Sequence, residues 1–178
     1  MNWDATVKDL GPRLQRYFRL RFPPHLAADL VQETLIRLVD KVENGAYDPA
    51  KGTVVAYAFG LAHYVMLEAR RVLSLSQYRN AGDEKVDTAV AAGPSPEDEV
   101  EAQERSAELR RAIAELPDAE REVVSLLLDK DLSLADIGAI LGMPTGTVKS
   151  HVHRAKMRLR TALAGAGRNE SAASGRES

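Results

Sequence analysis

Residues 144–160 read PTGTVKSHVHRAKMRLR and gather the side chains with the most chemistry to offer. His151 and His153 raise the question of a metal. Two positions apart on a helix, their rings point about 200° from each other and cannot share an ion. No metal and no cofactor is therefore expected. The chain also shows no nucleophile–base pair and no Gly-rich phosphate loop, so it does not read as an enzyme. What remains is recognition. On a helical wheel Val148, Val152, Ala155 and Leu159 fall within about 60° of one another and form an apolar rear stripe. Lys149, Ser150, His153 and Arg154 occupy the other side.

The neighbouring residues give that helix a frame. SLADIGAIL begins at Ser133, a plausible N-cap with Asp136 at the capping-box position, and stops at Gly142. A short helix, a tight turn and a longer basic helix make a helix-turn-helix, whose second helix enters the major groove by its N-terminal half. Lys149, Ser150 and His153 can then reach base edges, while His151, Arg154 and Arg158 lie to one side, where phosphates run. The helix start at Thr145-Gly146-Thr147 presents free amides to a phosphate.

Further helices must carry this unit. EDEVEAQERSAELRRAIAEL ends at Pro117, and DAEREVVSLLLDK follows. Upstream, GPRLQRYFRLRF reads as a basic amphipathic helix ending at Pro23-Pro24. HLAADLVQETLIRLVDKV places Leu26, Leu30, Val31, Leu35 and Leu38 near one face. ENGAYDPAKG is turn-rich, and TVVAYAFGLAHYVMLEARRVL reads as a core helix whose charged residues rule out a membrane span. An aromatic at helical spacing is more often core, which is the expectation for Phe59. No strand pattern appears.

Composition agrees. The chain has 178 residues, 44% of them apolar and only 5% aromatic, and no cysteine. That excludes disulfides, thiol switching and cysteine-held zinc. The N-terminus does not read as a secretion signal and no apolar stretch suits a bilayer, so a cytoplasmic protein is expected. The net charge of −2 argues against a simple DNA-binding protein, but its distribution does not. Residues 81–104 hold eight acidic side chains against one lysine, and both flanking blocks are mildly basic. The expected architecture is all-α: two small helical domains, 1–80 and 101–165, joined by an acidic flexible linker, 81–100, with a disordered tail, 166–178.

LPDAEREVVSLLLDKDLSLADIGAILGMPTGTVKSHVHRAKMRLR resembles region 4 of bacterial sigma factors of the sigma-70 family, most of all the extracytoplasmic-function (ECF) group. LuxR-type regulators share a similar TVKSH stretch, which leaves a stand-alone helix-turn-helix regulator as an alternative. The first block resembles region 2: DLVQETLIRLV its segment 2.2, and YDPAKGTVVAYAFGLAHYVMLEARR its segments 2.3 and 2.4. The resemblance implies a factor that binds core RNA polymerase and directs promoter-specific initiation. Its partners would be the clamp coiled coil of the largest subunit and the flap, promoter DNA and an anti-sigma factor. It would associate with the bacterial nucleoid when bound to polymerase.

By position, Asp29, Gln32, Glu33, Leu35 and Arg37 would meet polymerase. Lys51, Tyr57, His63, Tyr64, Arg70 and Arg71 would hold the opened minus-ten element. Thr147, Lys149, Ser150, His151, His153, Arg154 and Arg158 would serve the minus-thirty-five element. Gly60 and His63 stand where the family commonly carries arginine, and Tyr64 where asparagine is common. That keeps open an adaptor that binds polymerase without opening DNA.

Overall fold

The computed structural model describes residues 2–79 and 107–173. The described residues form helices and no strand. The linker expected at 81–100 lies outside them. In the first block α1 spans Trp3–Arg19, α2 Pro24–Glu43 and α3 Val54–Arg79. In the second, α4 is described over 107–114, α5 spans Asp118–Leu127, α6 Leu134–Leu141 and α7 Thr145–Ala173.

Helix α1 starts earlier than its Gly11-Pro12 pair suggests. Asn2 caps it, its side chain accepting from the Ala5 amide at 3.2 Å. Pro12 sits inside the helix, where a missing N–H and a ring clash normally weaken it. Burial of Leu10, Leu14, Tyr17 and Phe18 along one stripe holds it nonetheless. In α2, Pro24 sits in the first turn, where proline is tolerated. Ala27, Leu30, Val31, Thr34 and Leu38 face inward, and the Thr34 hydroxyl is satisfied by the Leu30 carbonyl at 2.7 Å. Helix α3 buries Ala58, Phe59, Ala62, Val65 and Met66 against them.

The second block follows its local signals closely. Ser133 and Asp136 form the reciprocal capping box, and Gly142 closes α6 in the left-handed conformation at φ 64°. Helix α7 runs on to Ala173, into the stretch where a disordered tail is expected. The alanines of TALAGAGRNESAA favour continuing the helix once α7 is nucleated.

The turn between α6 and α7 depends on Gly138. A Cβ there would lie 2.7 Å from the Met143 carbonyl oxygen. The obstacle is backbone, already tied down because the Met143 amide donates to the Gly138 carbonyl at 2.9 Å. Gly138→Ala should therefore destabilise the chain by about 1–3 kcal/mol, as overpacking does, read as a lower urea midpoint. An unchanged midpoint would mean the turn can yield.

Periodicity did not reveal how the blocks meet. They dock, and one apolar cluster runs from Leu14, Phe18 and Phe59 through to Val123, Leu126, Ile137 and Val148. Polar contacts reinforce it. Arg13 grips Asp129 with both arms, Nε to Oδ2 at 2.7 Å and Nη2 to Oδ1 at 2.6 Å. Asp131 adds a contact to Arg13 at 3.0 Å. Arg16 donates to the Leu128 carbonyl at 3.3 Å, and Arg21 to the Ser125 hydroxyl at 3.0 Å.

Candidate nucleic-acid interface

Helix α7 has the two faces its wheel predicts. Val148 and Ala155 are fully buried, and Val152 and Leu159 half-buried behind them. Thr147, Lys149, Ser150 and His153 are exposed. The Ser150 hydroxyl donates back to the Gly146 carbonyl at 3.1 Å. The flanking basic residues are engaged with each other and with the protein. Arg154 Nη2 lies 3.0 Å from His151 Nδ1. Arg154 Nε lies 3.5 Å, and Arg158 Nε 3.0 Å, from the carboxylate of Glu120 on α5. Glu120 is 4% exposed, and its Oε2 makes no well-aligned hydrogen bond, so charge attraction is what holds Arg158 there.

Helix α3 carries two lines of candidate contacts. Tyr57, Tyr64 and Arg71 recur at heptad spacing along one line. Tyr57 packs on Tyr47 at 5.2 Å between centroids and borders a cleft of about 360 Å³ with Gly60 and Leu61. Ala139 and Ile140 of α6 line the cleft from the other block. A Cβ on Gly60 would meet nothing within 4 Å, so packing does not demand glycine there. Tyr64 is 56% exposed, with the Arg37 guanidinium 5.7 Å from its ring centroid. Lys51, in the preceding turn, is exposed and 3.9 Å from Asp48.

The second line, His63 and Arg70, faces α5. Arg70 reaches Asp118 at 3.2 Å and Glu122 at 3.3 Å. His63 Nδ1 lies 3.4 Å from the Tyr17 hydroxyl. Burial pushes the His63 pKa below the ordinary histidine value; the Glu122 charge opposes this, and Arg21 and Arg70 add to it. In the docked arrangement Arg70 is therefore a contact between the blocks, while His63 is held within its own block by Tyr17 of α1.

On α2, Asp29, Gln32 and Glu33 share one outward face at i, i+3 and i+4. Ile36, 65% exposed, extends it by a turn and was not singled out from sequence, although its spacing from Gln32 and Glu33 was the available signal. Leu35 turns away and packs against the core. Arg37 bridges α2 and α3, bonded to Glu33 at 2.6 Å and Glu68 at 2.7 Å.

Known proteins settle the family. Residues 6–74 match sigma-70 region 2, and residues 106–159 match sigma-70 region 4. The ECF RNA polymerase sigma factor SigW of Bacillus subtilis is 31% identical over 155 residues, 84% of this chain and 81% of SigW. The chain belongs to the ECF sigma factors. SigE of Mycolicibacterium smegmatis, another ECF sigma factor, is 34% identical over 92% of this chain, which spans 62% of SigE's length. The fold matches the sigma factor RpoE in its complex with the anti-sigma factor NepR from Bartonella quintana, with a TM-score of 0.75 and 24% identity. That match covers 91% of this chain and 96% of RpoE.

The region 2 match thus falls on α1–α3, and the region 4 match on α4–α6 and α7 as far as residue 159. The region 2 match sets aside a stand-alone LuxR-type regulator. Glu120, Asp118 and Glu122 were missed from sequence. Asp118 and Glu120, in the first turn of α5, read as ordinary complements to the helix dipole. The available signal was that Glu120 shares a helical face with Val123 and Val124, both buried.

Proposed function

We propose that this sigma factor binds core RNA polymerase and directs it to promoters defined by two elements. The observation that carries the reading is α7: a buried apolar rear, a capped turn before it, and Lys149, Ser150 and His153 exposed on its outer face. Those three side chains read bases of the minus-thirty-five element, and Thr147 contributes at the helix start. His151, Arg154 and Arg158 flank them on the phosphate side. Tyr57 and Tyr64 offer stacking surfaces for unpaired minus-ten bases, with Lys51, His63, Arg70 and Arg71 along the backbone. Asp29, Gln32 and Glu33 take arginines of the polymerase clamp coiled coil, with Arg37 beside them, Leu35 supporting the helix from the core side, and region 4 meeting the flap.

The chain itself is no enzyme in this reading; it lends specificity to a catalytic core supplied by other subunits. It works in the bacterial cytoplasm, on the nucleoid when bound to polymerase. An anti-sigma factor holds it in reserve, a reading supported by the fold it shares with RpoE, whose structure is a complex with NepR.

The test is binding to core polymerase followed by transcription from a random-promoter library. Transcripts sharing a two-element motif are the expected result. Binding without transcripts would point instead to an adaptor that cannot open DNA, and no binding would overturn the reading. With the motif in hand, Lys149→Ala should weaken promoter binding by about 1–3 kcal/mol and relax a single upstream position. A uniform loss on every sequence would make Lys149 a phosphate contact instead.

A further inference from the structure

We propose that Glu120 is a positioning residue for DNA recognition, which sets the seat of α7 through Arg154 and Arg158 and withholds both arginines from the phosphates. The inference rests on the reading of α7 as the helix that enters the promoter. It also narrows the set of contacts that reading assigns.

The argument begins with the carboxylate. Glu120 lies in the first turn of α5 and is almost wholly buried, with Oε1 3.5 Å from Arg154 and Oε2 3.0 Å from Arg158. A carboxylate removed from water is tolerated only while its counter-charges stay in place. The counter-charges here are two arginines one turn apart on α7. A single fixed anion gripping two successive turns resists both rotation of α7 about its axis and sliding along it. The apolar seat of Val148 and Ala155 alone leaves more freedom, because hydrophobic contact is non-directional.

The arginines are about half exposed, at 50% and 58% of their side chains, so position alone would let them swing to a phosphate. Doing so would strip Glu120 of compensation in a buried site. Their charge is already spent inside the protein. His151 is drawn into the same network by its 3.0 Å contact with Arg154. The basic flank of α7 therefore acts as a brace, and the outer face of Lys149, Ser150 and His153 keeps its register because the brace holds.

Salt dependence separates a brace from a phosphate contact. Each cation that neutralises a phosphate steepens the slope of log affinity against log salt by about 0.9. The experiment measures binding of polymerase carrying the full chain to a promoter duplex recovered from the library, and to the same duplex with its upstream element scrambled, across a salt series. Arg158→Ala should weaken binding to the promoter while leaving the slope of the wild type. Glu120→Gln keeps the shape and removes the charge. It should steepen the slope by about 0.9 to 1.8 as one or both arginines reach phosphates. It should also lower the preference for the intact upstream element by about tenfold, the scale of one lost base contact.

A slope shallower by about 0.9 in Arg158→Ala would place that arginine on a phosphate and overturn the proposal. So would a Glu120→Gln chain that melts at lower temperature but keeps the wild-type slope and preference, since that is what a merely structural carboxylate would do. If Glu120→Gln does not fold, the Arg158→Ala slope still decides. A wild-type holoenzyme that shows no preference for the intact element would remove the promoter-reading role of α7 and the proposal with it. Preference without the slope changes would remove the proposal alone.

Discussion

Arg13→Ala should destabilise the docked chain by about 3–5 kcal/mol, the largest stability loss expected of any single substitution outside the apolar core. The reason is the site it leaves behind. Asp129 is 3% exposed, and both its oxygens receive the Arg13 guanidinium. Removing the arginine strands a buried carboxylate, with Arg16 the nearest remaining cation at 3.8 Å. The pair itself is a different matter from its rupture. Replacing both partners by apolar residues of similar volume is often neutral or stabilising, because two desolvation penalties vanish together. The double variant Arg13→Met with Asp129→Leu should therefore recover most of what Arg13→Ala loses. Urea unfolding of the three chains measures this. A double variant as unstable as the single one would mean the pair's geometry, not its charge, holds the blocks.

The same contact fixes an acid response. Burial pushes the Asp129 carboxyl upward, but hydrogen bonds from Arg13 and the Asp131 amide, with the charges of Arg13 and Arg16, hold it below the ordinary aspartate value. A depressed folded-state pKa contributes stability that is full above the unfolded value, about 3.9, and is lost as pH falls through the folded value. His63 acts earlier. Its folded pKa is also lowered, so the unfolded chain takes up a proton first and stability begins to fall below about pH 6.5. The wild type should show a shallow decline from there and a second one in stronger acid. Arg13→Ala should keep the first and lose the second. The docked arrangement also occupies Arg70 with Asp118 and Glu122, so in the proposed reading the minus-ten role of Arg70 would require those contacts to open.

How much of this was legible beforehand follows the range of each interaction. Ser133, Asp136 and Gly142 bracket α6 with signals that lie within a few residues, and all three act as the sequence implies. The apolar rear of α7 was equally readable, because periodicity reports which side of a helix is buried. It does not report what buries it. Arg13 and Asp129 are separated by 116 positions, and nothing in either neighbourhood marks the partner. The amphipathic pattern was legible only from Gly11 onward, yet the helix starts at Trp3, because the Asn2 cap and packing of Leu10 and Leu14 outweigh the local cost of Pro12. Glu120 failed for a related reason. A charged residue is assigned to solvent by default, and only its counter-charges on another helix make burial tolerable. Sequence thus exposed the faces that could meet DNA, while the carboxylates that restrain their arginines became visible only in three dimensions.

Glu33→Arg should abolish binding to core polymerase, a loss of at least about 100-fold, while leaving the helical fold intact. Glu33 is partly exposed on the face it shares with Asp29 and Gln32, so reversal of its charge strains no core contact. Arg37 takes its Oε1, but a carboxylate has about four acceptor sites, so capacity for an arginine of the polymerase remains. Reversal would set like charges against that arginine and against Arg37 at once. The second effect needs separating from the first. Glu68→Arg also places a cation beside Arg37, but from α3, on the other side of the guanidinium that bridges the two helices. If Glu33 touches polymerase directly, Glu68→Arg should lose far less affinity than Glu33→Arg. Equal losses would mean that polymerase senses the placement of Arg37 and the Tyr64 ring beside it, and the contact face would move from α2 to the seam between α2 and α3. Unchanged affinity in Glu33→Arg would remove residues 29–37 from the interface altogether.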